Sequence, residues 1–456
     1  MLNCLLDNTE TGLDPLYLLT PELLETWLMQ TSAATADIVR INLFSGKLGE
    51  VLKLPISNGR KLTIAGIGKN PVAADIAVLP AKLGHNKYFL AFAPQALDRD
   101  KLALAWLKGC YRFENLQNKK TEFAKLQIIG ADREQVLLRA GAVTYARDLI
   151  NTPANILGTE ALEQAIVSLG QEFGAKVSSV IGEDLLKQNY PLIHAVGRAA
   201  DQQPRLVHLV WGNDKNPAIS LVGKGVIFDT GGLNIKTGNY MKLMKKDMGG
   251  AANALATAKM IMQAKLPVFL NVFIPIVDNA ISANAYRPSD VLPSRMGASI
   301  EIDNTDAEGR LILADALTRA IEDQPDLMID FATLTGAARV ALGPELAPYY
   351  TKSDSWAQKL EAEAKSENDP VWRMPLWDGY DALLDSDIAD ICHTASSPMA
   401  GSVTAALFLQ RFVADTPWIH FDIYGWSSKS RPGHPVGGDA QGPFAVFAML
   451  QKEYAS

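Results

Sequence analysis

The chain has 456 residues, of which 48% are apolar, and this length predicts two domains with ample core material. Its formal net charge of −7 disfavours a general nucleic-acid binder, because such proteins are usually basic. The three cysteines, Cys4, Cys110 and Cys392, form no Cys-x-x-Cys pair. This sparse, odd count favours free thiols in a reducing compartment over a disulfide framework.

The N-terminal segment lacks the basic region and long apolar run of a secretory signal. No stretch approaches ~18 uninterrupted apolar residues, so no transmembrane helix is expected. The sequence therefore predicts a soluble cytoplasmic protein.

Residues 1–140 are predicted to form a small N-terminal α/β domain. Short apolar runs at 61–66 and 88–93 indicate strands, and residues 73–83 and 97–111 have helical spacing. No chemical cluster occurs here, so this part of the chain indicates little about function.

A long helix is expected at about 133–149, where apolar residues recur at three- and four-residue steps. It should end before Pro153, which disfavours a helical conformation at Thr152. This helix is predicted to connect the two domains.

Residues 141–456 are predicted to form a larger catalytic α/β domain. Alternating strands and helices imply a mixed central sheet flanked by helices. Strands are expected at 206–211, 218–222, 268–276, 327–334 and 418–423, and helices at 251–264, 310–321 and 403–413. The stretch 427–442, rich in Gly, Pro and Ser, is expected to be a surface loop.

Two charged, glycine-rich segments interrupt these apolar elements. The first, residues 223–250, contains Lys224, Asp229, Lys236 and Asp247, and the second is Asn-Thr-Asp-Ala-Glu-Gly-Arg-Leu at 304–311. Both follow or precede predicted strands and helices at the edge where ligand sites collect in open α/β sheets. Because a buried charge must be paired or bound to metal, the two segments together indicate a functional site.

The spacing within the second segment predicts its local structure. Asp306, Glu308 and Arg310 are two residues apart, and such residues share a face in an extended segment but not on a helix. The segment is therefore expected to be extended or loop, with a helix beginning near Gly309. Arg310 would then lie at a helix N-terminus, which favours an anion.

Charge counting predicts metal ions. Asp229, Asp247, Asp306 and Glu308 would repel one another if packed together, and two divalent cations would balance them. Oxygen ligands suit Zn, Mn or Mg, and metal pairs are a recurrent hydrolytic device. Histidine is absent from both segments, which disfavours a histidine-rich zinc site.

The lysines have two possible roles that the sequence leaves open. Either Lys224 or Lys236 could bind metal as a neutral amine, while the other stays charged and polarises a carbonyl. Each charged residue alone also has a structural explanation, since Asp306 could cap a helix and an Asp before Gly commonly marks a turn. The joint pattern, rather than any one residue, favours a functional site.

The octapeptide at 304–311 resembles the signature of the leucyl aminopeptidase family, the two-metal cytosol aminopeptidases. The segment at 223–250 matches the same family in order and spacing, as do residues 147–153 and 332–337 and, more loosely, 403–409. The resemblance is strong through the middle of the chain and faint before about residue 140.

The resemblance implies a role for each matching position. Asp229 and Glu308 would bridge two metal ions, Lys236 would polarise the scissile carbonyl, and Arg310 would hold a bicarbonate that acts as general base. The implied metal ligands are Lys224, Asp229, Asp247, Asp306 and Glu308. The implied substrate-binding residues are Met244, Asn304, Thr333, Leu334 and Gly336. The family's assembly implies a homohexamer.

Some positions depart from the family pattern. Residues 278–281 and 287–290 differ from the usual Glu-Asn-Met-Pro and Lys-Pro-Gly-Asp, and Tyr424-Gly425-Trp426 replaces the common Ala-Gly-Thr. The last difference is expected to alter the pocket rim or the oligomer contacts.

The sequence thus predicts a metal-dependent aminopeptidase that removes N-terminal residues, leucine-like ones preferred, from peptides. One alternative is another two-metal hydrolase. The second is a DNA-binding accessory protein, a role that some family members have, and the acidic balance of the chain disfavours it.

Overall fold

The computed structural model describes residues 1–56 and 61–455. The chain divides into two compact units, the first made of Met1–Thr144 and Lys429–Val436 and the second of Tyr145–Ser428 and Gly437–Ser456. Both units are α/β, which confirms the predicted fold class. Part of the predicted loop at 427–442 thus belongs to the first unit.

The first unit is built on a five-stranded sheet in the order β2-β3-β1-β4-β5. The β2–β3 pair is antiparallel and the other neighbouring pairs are parallel. The strands are β1 (Asp14–Leu19), β2 (Val51–Pro55), β3 (Lys61–Gly66), β4 (Lys87–Phe92) and β5 (Lys125–Gln127). The helices are α1 (Pro21–Gln30), α2 (Ala33–Ile41), α3 (Pro80–Leu83) and α4 (Arg99–Gly109).

The helix predicted over 73–83 is interrupted. Residues Ala73–Val78 form a 3₁₀ helix, and a separate short helix, α3, begins at Pro80. Proline lacks the N–H that would continue a preceding helix, but it is well tolerated at a first helical position.

Cys4 and Cys110 lie far apart in sequence, yet both are buried in one core cluster of the first unit. Their side chains hydrogen-bond to each other, and this contact lowers the pKa of Cys4 to about 7. Both are free thiols, as is Cys392.

The second unit follows the long helix α5 (Arg133–Asn151), in which the boundary between the units lies. Its further helices are α6 (Thr159–Phe173), α7 (Asp184–Lys187), α8 (Pro191–Gly197), α9 (Gly249–Gln263), α10 (Glu308–Ile321), α11 (Gly336–Leu342), α12 (Asp354–Glu367), α13 (Gly401–Gln410) and α14 (Pro443–Tyr454). Its strands are β6 (Lys176–Ile181), β7 (Arg205–Gly212), β8 (Ala218–Gly223), β9 (Gly225–Asp229), β10 (Phe269–Asn279), β11 (Val291–Pro293), β12 (Ser299–Glu301), β13 (Leu327–Ala332), β14 (Ala347–Tyr350), β15 (Val371–Arg373), β16 (Ile391–Cys392), β17 (Trp418–Asp422), β18 (Trp426–Ser427) and β19 (Gly437–Gly438).

The main sheet of the second unit has the order β15-β14-β17-β13-β8-β10-β7-β6, with β9 paired to β10. The strands β17, β13, β8 and β10 are parallel to their neighbours within this group. Strand β14 runs antiparallel to β17 and parallel to β15, and β7 runs antiparallel to both β10 and β6. Nearly every residue of β10 and β13 is buried, as expected for central strands covered on both faces. Because β8, β13 and β17 are parallel, the residues after their carboxyl ends are brought together.

Helix α9 begins against the sheet at a point of very close approach. A Cβ added to Gly250 would lie 2.1 Å from the carbonyl oxygen of Phe331 on β13. Only glycine allows this packing, which holds Asp247, three residues earlier, at the end of the sheet. No helix within residues 1–56 and 61–455 has the length and hydropathy needed to cross a membrane.

Candidate active site

The first charged segment is fixed at the ends of β8 and β9. The Lys224 N–H donates to the carbonyl of Phe331 at 3.0 Å, and its own carbonyl accepts from Ala251 N at 2.8 Å. Asp229 ends β9 and its Oδ1 accepts from Gly231 N at 2.9 Å. Gly231 has φ 89°, a left-handed conformation that favours glycine, so the turn aims Asp229 into the site.

The second charged segment is helical rather than extended or loop, whereas the predicted helix start near Gly309 agrees with the observed start of α10. Residues Thr305–Ala307 form a 3₁₀ helix, and α10 begins at Glu308. The Asn304 side chain caps this turn by accepting from Asp306 N at 2.9 Å. Ala307, between the two helices, has non-helical angles (φ −111°, ψ 36°), so the chain changes direction there. Asp306 and Glu308 therefore face the same site despite their helical surroundings.

Three carboxylates meet at this point. Each of Asp229, Asp306 and Glu308 offers an oxygen within 4.8 Å of the oxygens of the other two. Lys224 Nζ lies 2.8 Å from Asp247 Oδ2 and 3.0 Å from Glu308 Oε1, which adds the fourth carboxylate. The predicted convergence of the two segments is thus present in the structure.

The lysines lie among these acids. Lys236 Nζ is 2.7 Å from Asp229 Oδ2 and also contacts Asp306 Oδ1. Burial by itself would lower the pKa of Lys236, but the charges of Asp229 and Glu308 outweigh it and the pKa is raised. The pKa of Lys224 is raised in the same way, by Asp247, Glu308 and Asp229 against burial. Among the protein's own charges, both lysines are therefore ammonium ions.

Burial and the neighbouring negative charges shift the pKa values of the carboxylates. Burial, followed by the charge of Asp229, raises the pKa of Glu308 to about 8 and that of Asp306 to about 6. Lys246, also buried, has its pKa lowered to about 8, chiefly by loss of solvent. Two lysines near four acids do not neutralise the cluster, which leaves a charge deficit that cations would fill.

The donor atoms fit divalent metal ions. In the part of the chain that the structure describes, four buried carboxylate oxygens have no hydrogen-bond partner, and they are Asp247 Oδ2, Asp306 Oδ1 and both oxygens of Glu308. Three of them contact a lysine ammonium within ion-pair distance without hydrogen-bond geometry. Buried carboxylates without hydrogen bonds are costly unless they are paired or bind metal, and oxygen donors suit Zn, Mn or Mg.

Gly309 allows Lys224 to reach the acids. A Cβ at Gly309 would lie 2.5 Å from Lys224 Cε and 2.7 Å from its Nζ. The glycine of the octapeptide therefore makes room for a side chain from the other charged segment. This requirement explains why a residue with low helix propensity stands in the first turn of α10.

A layer of polar residues supports the acids. Asn279 at the end of β10 donates through Nδ2 to Asp229 Oδ1 at 2.8 Å and to the Thr305 carbonyl at 3.0 Å. The Tyr286 hydroxyl donates to the same carbonyl at 2.8 Å, and Thr305 Oγ1 donates to Gly231 O at 2.7 Å. These contacts join the two charged segments, since Thr305 belongs to one and Gly231 to the other.

His393 makes hydrogen-bond contacts at the start of the octapeptide 304–311. Its Nε2 lies 2.9 Å from the Asn304 carbonyl, and Asp303 N donates to its Nδ1 at 3.2 Å. Burial and the charge of Arg310 lower the pKa of His393 to about 4, so the ring is neutral. Arg310 Nη1 donates to the His393 carbonyl at 2.8 Å, while its Nε has no hydrogen-bond partner within the described ranges.

The site opens into a cavity of about 630 Å³. Its wall contains the two lysines Lys224 and Lys236 and most of the residues predicted to bind metal or substrate. These are Asp229, Met244, Asp247, Asn304, Asp306, Thr333, Leu334 and Gly336. Glu308 and Arg310 are buried and do not line it. Thr333 Oγ1 lies 2.8 Å from Asp247 Oδ1, which ties the substrate wall to the acids.

Sequence profiles of known families match both units. The catalytic domain of the cytosol aminopeptidase family matches residues 144–446, and the M17 aminopeptidase N-terminal domain matches residues 14–129. The chain belongs to the cytosol aminopeptidase family. This confirms the resemblance found in the octapeptide, and it makes the protein a hydrolase of the aminopeptidase class.

Individual relatives of this aminopeptidase cover most of its length. The probable cytosol aminopeptidase of Aquifex aeolicus is 34% identical over 450 residues, which is 92% of this chain and 91% of the relative. That of Syntrophotalea carbinolica is 39% identical over 366 residues, 76% of this chain and 73% of the relative.

Solved structures show the same architecture. The crystal structure of the cytosol aminopeptidase from Coxiella burnetii is similar with a TM-score of 0.93 and 42% identity, over 99% of each chain. The bottromycin maturation enzyme BotP in complex with Mn is similar with a TM-score of 0.86 and 29% identity, over 97% of this chain and all of that one.

Three residues that contact the charged segments of the aminopeptidase site have no role predicted from the sequence. Asn279, Tyr286 and His393 lie outside the two charged, glycine-rich segments, so the sequence assigns them no role. A signal was available at Asn279, which matches the Asn of the family's Glu-Asn-Met-Pro and follows the apolar run predicted as a strand at 268–276.

Proposed function

We propose that this aminopeptidase removes the N-terminal residue of peptides with two divalent metal ions. The buried carboxylate cluster, with four oxygens that lack hydrogen bonds, carries this proposal. The ions would be held by Asp229, Asp247, Asp306 and Glu308, and by Lys224 once its ammonium has lost a proton to become a neutral amine. When bound, two such ions supply Lewis acidity and lower the pKa of a water enough for nucleophilic attack near neutral pH.

The chain's own residues supply the rest of the mechanism. Lys236 lies on the cavity wall with its ammonium beside Asp229 and Asp306, where a cation stabilises the negative charge that develops on the carbonyl oxygen. The acids attract a positively charged peptide N-terminus, so a free chain end is favoured over an internal segment.

We assign Arg310 to an anion. Its guanidinium is buried, one nitrogen is used by the His393 carbonyl, and Nε has no hydrogen-bond partner in the described chain. A bicarbonate held here would serve as general base, as the family resemblance implies. Burial lowers the pKa of Arg310 to about 10, which still leaves it charged near neutral pH.

Membership of the cytosol aminopeptidase family supports the proposed metal, the preferred N-terminal residue, the oligomeric state and the cellular location. Zn or Mn is the proposed metal, with Mg possible, and the Mn complex of BotP supports the same class of ion. Leucine-like N-terminal residues fit the apolar wall formed by Leu243, Met244, Leu334 and Ile423. A homohexamer of 49.4 kDa chains in the cytoplasm is proposed, and light scattering on a sizing column tests the assembly.

Metal content and peptidase activity test this function together. The protein should contain about two divalent ions per chain, lose hydrolysis of leucyl substrates after chelation, and regain it with Mn²⁺ or Zn²⁺. Glu308→Gln should abolish both metal binding and activity. Glu322→Gln, an exposed glutamate beyond the other end of α10, is the matched control. Equal activity in Glu308→Gln and the unmodified protein contradicts the proposal.

A further inference from the structure

One wall of the cavity has a different character from the acid cluster. It consists of Lys246, at the end of the 3₁₀ helix Met244–Lys246, Arg339 on α11, and Tyr424 after β17. Lys246 Nζ lies 5.0 Å from the centroid of the Tyr424 ring, and the guanidinium carbon of Arg339 lies 4.7 Å from the same centroid. Two cations thus share one aromatic ring at the cavity surface.

Within residues 1–56 and 61–455, neither cation forms an ion pair with a carboxylate, although the charge of Asp247 acts on Lys246. Lys224 and Lys236 each contact two carboxylates, but no carboxylate of the described chain lies within ion-pair distance of Lys246 or Arg339. Lys246 is only 3% exposed. A buried cation is costly unless it is paired, and contact with an aromatic face compensates only part of that cost. The two positive charges are therefore suited to an anion that arrives with the substrate.

The position of the wall limits which anion this can be. Lys246 precedes Asp247 directly, and Thr333, which contacts Asp247, is followed by Leu334 on the same cavity wall. The charge of Asp247 acts on Lys246, and Arg339 lies against the same Tyr424 ring, so both cations lie near the acids that would attract the peptide N-terminus. The side chain of the first residue is the substrate group nearest to that amine, and the Tyr424 ring and Leu334 offer apolar contact to its methylene groups.

We propose that Lys246 and Arg339, arranged around Tyr424, bind the side-chain carboxylate of an N-terminal glutamate or aspartate. Acidic N-terminal residues are thereby accepted in addition to leucine-like ones. This inference rests on the proposed aminopeptidase function, and it makes Tyr424, one of the departures from the family pattern, a determinant of specificity.

Glutamyl and glutaminyl derivatives of aminomethylcoumarin test the inference, because they differ in charge and hardly in shape. With metal present, kcat/KM should be roughly tenfold higher for the glutamyl than for the glutaminyl derivative, since a hydrogen bond to a charged group contributes more than a neutral one. The ratio should fall toward one in Lys246→Met combined with Arg339→Met. Tyr424→Phe keeps the aromatic face, so this variant should keep the roughly tenfold ratio of glutamyl to glutaminyl kcat/KM.

Controls separate this inference from its alternatives. Lys242→Met removes an exposed lysine outside the cavity wall and should keep the ratio. Thermal unfolding checks that each variant is folded. The coumarin derivatives carry no C-terminal carboxylate, so a parallel comparison of leucylglycine with leucylglycine amide asks whether the cations bind that group instead.

The possible failures are distinguishable. If glutaminyl and leucyl derivatives are hydrolysed and the glutamyl derivative shows no advantage, the inference is overturned and the aminopeptidase function stands. A preference for leucylglycine over its amide that disappears in the double variant would also overturn it. If no aminoacyl derivative is hydrolysed with Mn²⁺ or Zn²⁺, the proposed function itself fails.

Discussion

At the scale of single residues, the site depends on a glycine that takes no part in chemistry. Gly309 leaves space for the end of the Lys224 side chain, which a Cβ would approach to 2.5 Å. The opposing atoms belong to the flexible end of the Lys224 side chain. The backbone can therefore stay in place when a Cβ is added, but the lysine must move away from the acids.

Gly309→Ala should therefore separate stability from activity. Alanine favours a helix over glycine by ~1 kcal/mol, so the free energy of unfolding should stay level or rise. Peptidase activity should fall by at least roughly tenfold, because Lys224 is displaced from Asp247 and Glu308. Thermal unfolding and leucyl-substrate kinetics measure the two effects. An alanine variant with full activity would show that the lysine needs no such space.

Asn279 makes a second residue-scale prediction. Its amide contacts Asp229 Oδ1 and the Thr305 carbonyl, so it orients an acid and joins the two charged segments. Removal of a residue that orients a metal ligand typically weakens metal binding by ~10–100-fold. Asn279→Ala should show this loss in a metal titration, whereas Asn284→Ala, an exposed asparagine on the following loop, should not. Unchanged affinity in Asn279→Ala would assign the amide a purely structural role.

At the scale of secondary-structure elements, β13 and β17 are joined by a buried ion pair as well as by their backbone ladder. His420 Nδ1 lies 2.7 Å from Asp330 Oδ1, both side chains are fully buried, and Trp418 Nε1 donates to Asp330 Oδ2 at 2.7 Å. Burial by itself would lower the pKa of His420, but the charge of Asp330 outweighs it and the pKa is raised.

This pair predicts how stability depends on pH. A histidine whose pKa is higher in the folded state stabilises the fold fully below its unfolded pKa of about 6.5, and the contribution is lost as pH rises through the folded value. Asp330→Asn should remove it. The difference in thermal stability between the two proteins should thus be largest near pH 6 and shrink at higher pH. A difference that is independent of pH would contradict the assignment.

Elements also show what the sequence could predict. Helical periodicity and long apolar runs are local, so α5, α9, β8 and β10 were predicted close to their observed bounds. The helical turn at Thr305–Ala307 differs from the extended or loop segment that the two-residue spacing predicts. Its direction is set by the non-helical backbone of Ala307 and by contacts with Asn234 and Asn279, which local spacing does not encode.

The candidate site itself could be predicted in large part, because unusual charges in small-residue segments are visible without a structure. The supporting contacts could not. His393 reaches the octapeptide from a segment about ninety residues away, and only the folded chain shows that its ring meets the Asn304 carbonyl.

At the scale of the whole molecule, the first unit contains a segment from late in the chain. Residues Lys429–Val436 belong to it, and Lys108 Nζ on α4 lies 3.0 Å from His434 Nε2. Gly433 has φ 72°, and a Cβ there would lie 3.3 Å from Lys108 Cβ. The segment therefore packs tightly on α4.

Gly433→Val should loosen the first unit selectively. A β-branched residue in a left-handed conformation costs at least ~1–2 kcal/mol, and the contact with Lys108 adds to this. Hydrogen exchange should show faster exchange in α4 with little change in β13 of the second unit. Equal acceleration in both helices and strands of the two units would show that they unfold together.

The late segment also has a consequence for the order of synthesis. When the first 144 residues have left the ribosome, the part of their own unit contributed by Lys429–Val436 has not yet been made. The segment that packs on α4 near Lys108, residues 429–436, is therefore synthesised almost three hundred residues later. The first unit is consequently completed only after the intervening residues 145–428 of the second unit have been made, so its final packing reports that this stretch has been translated.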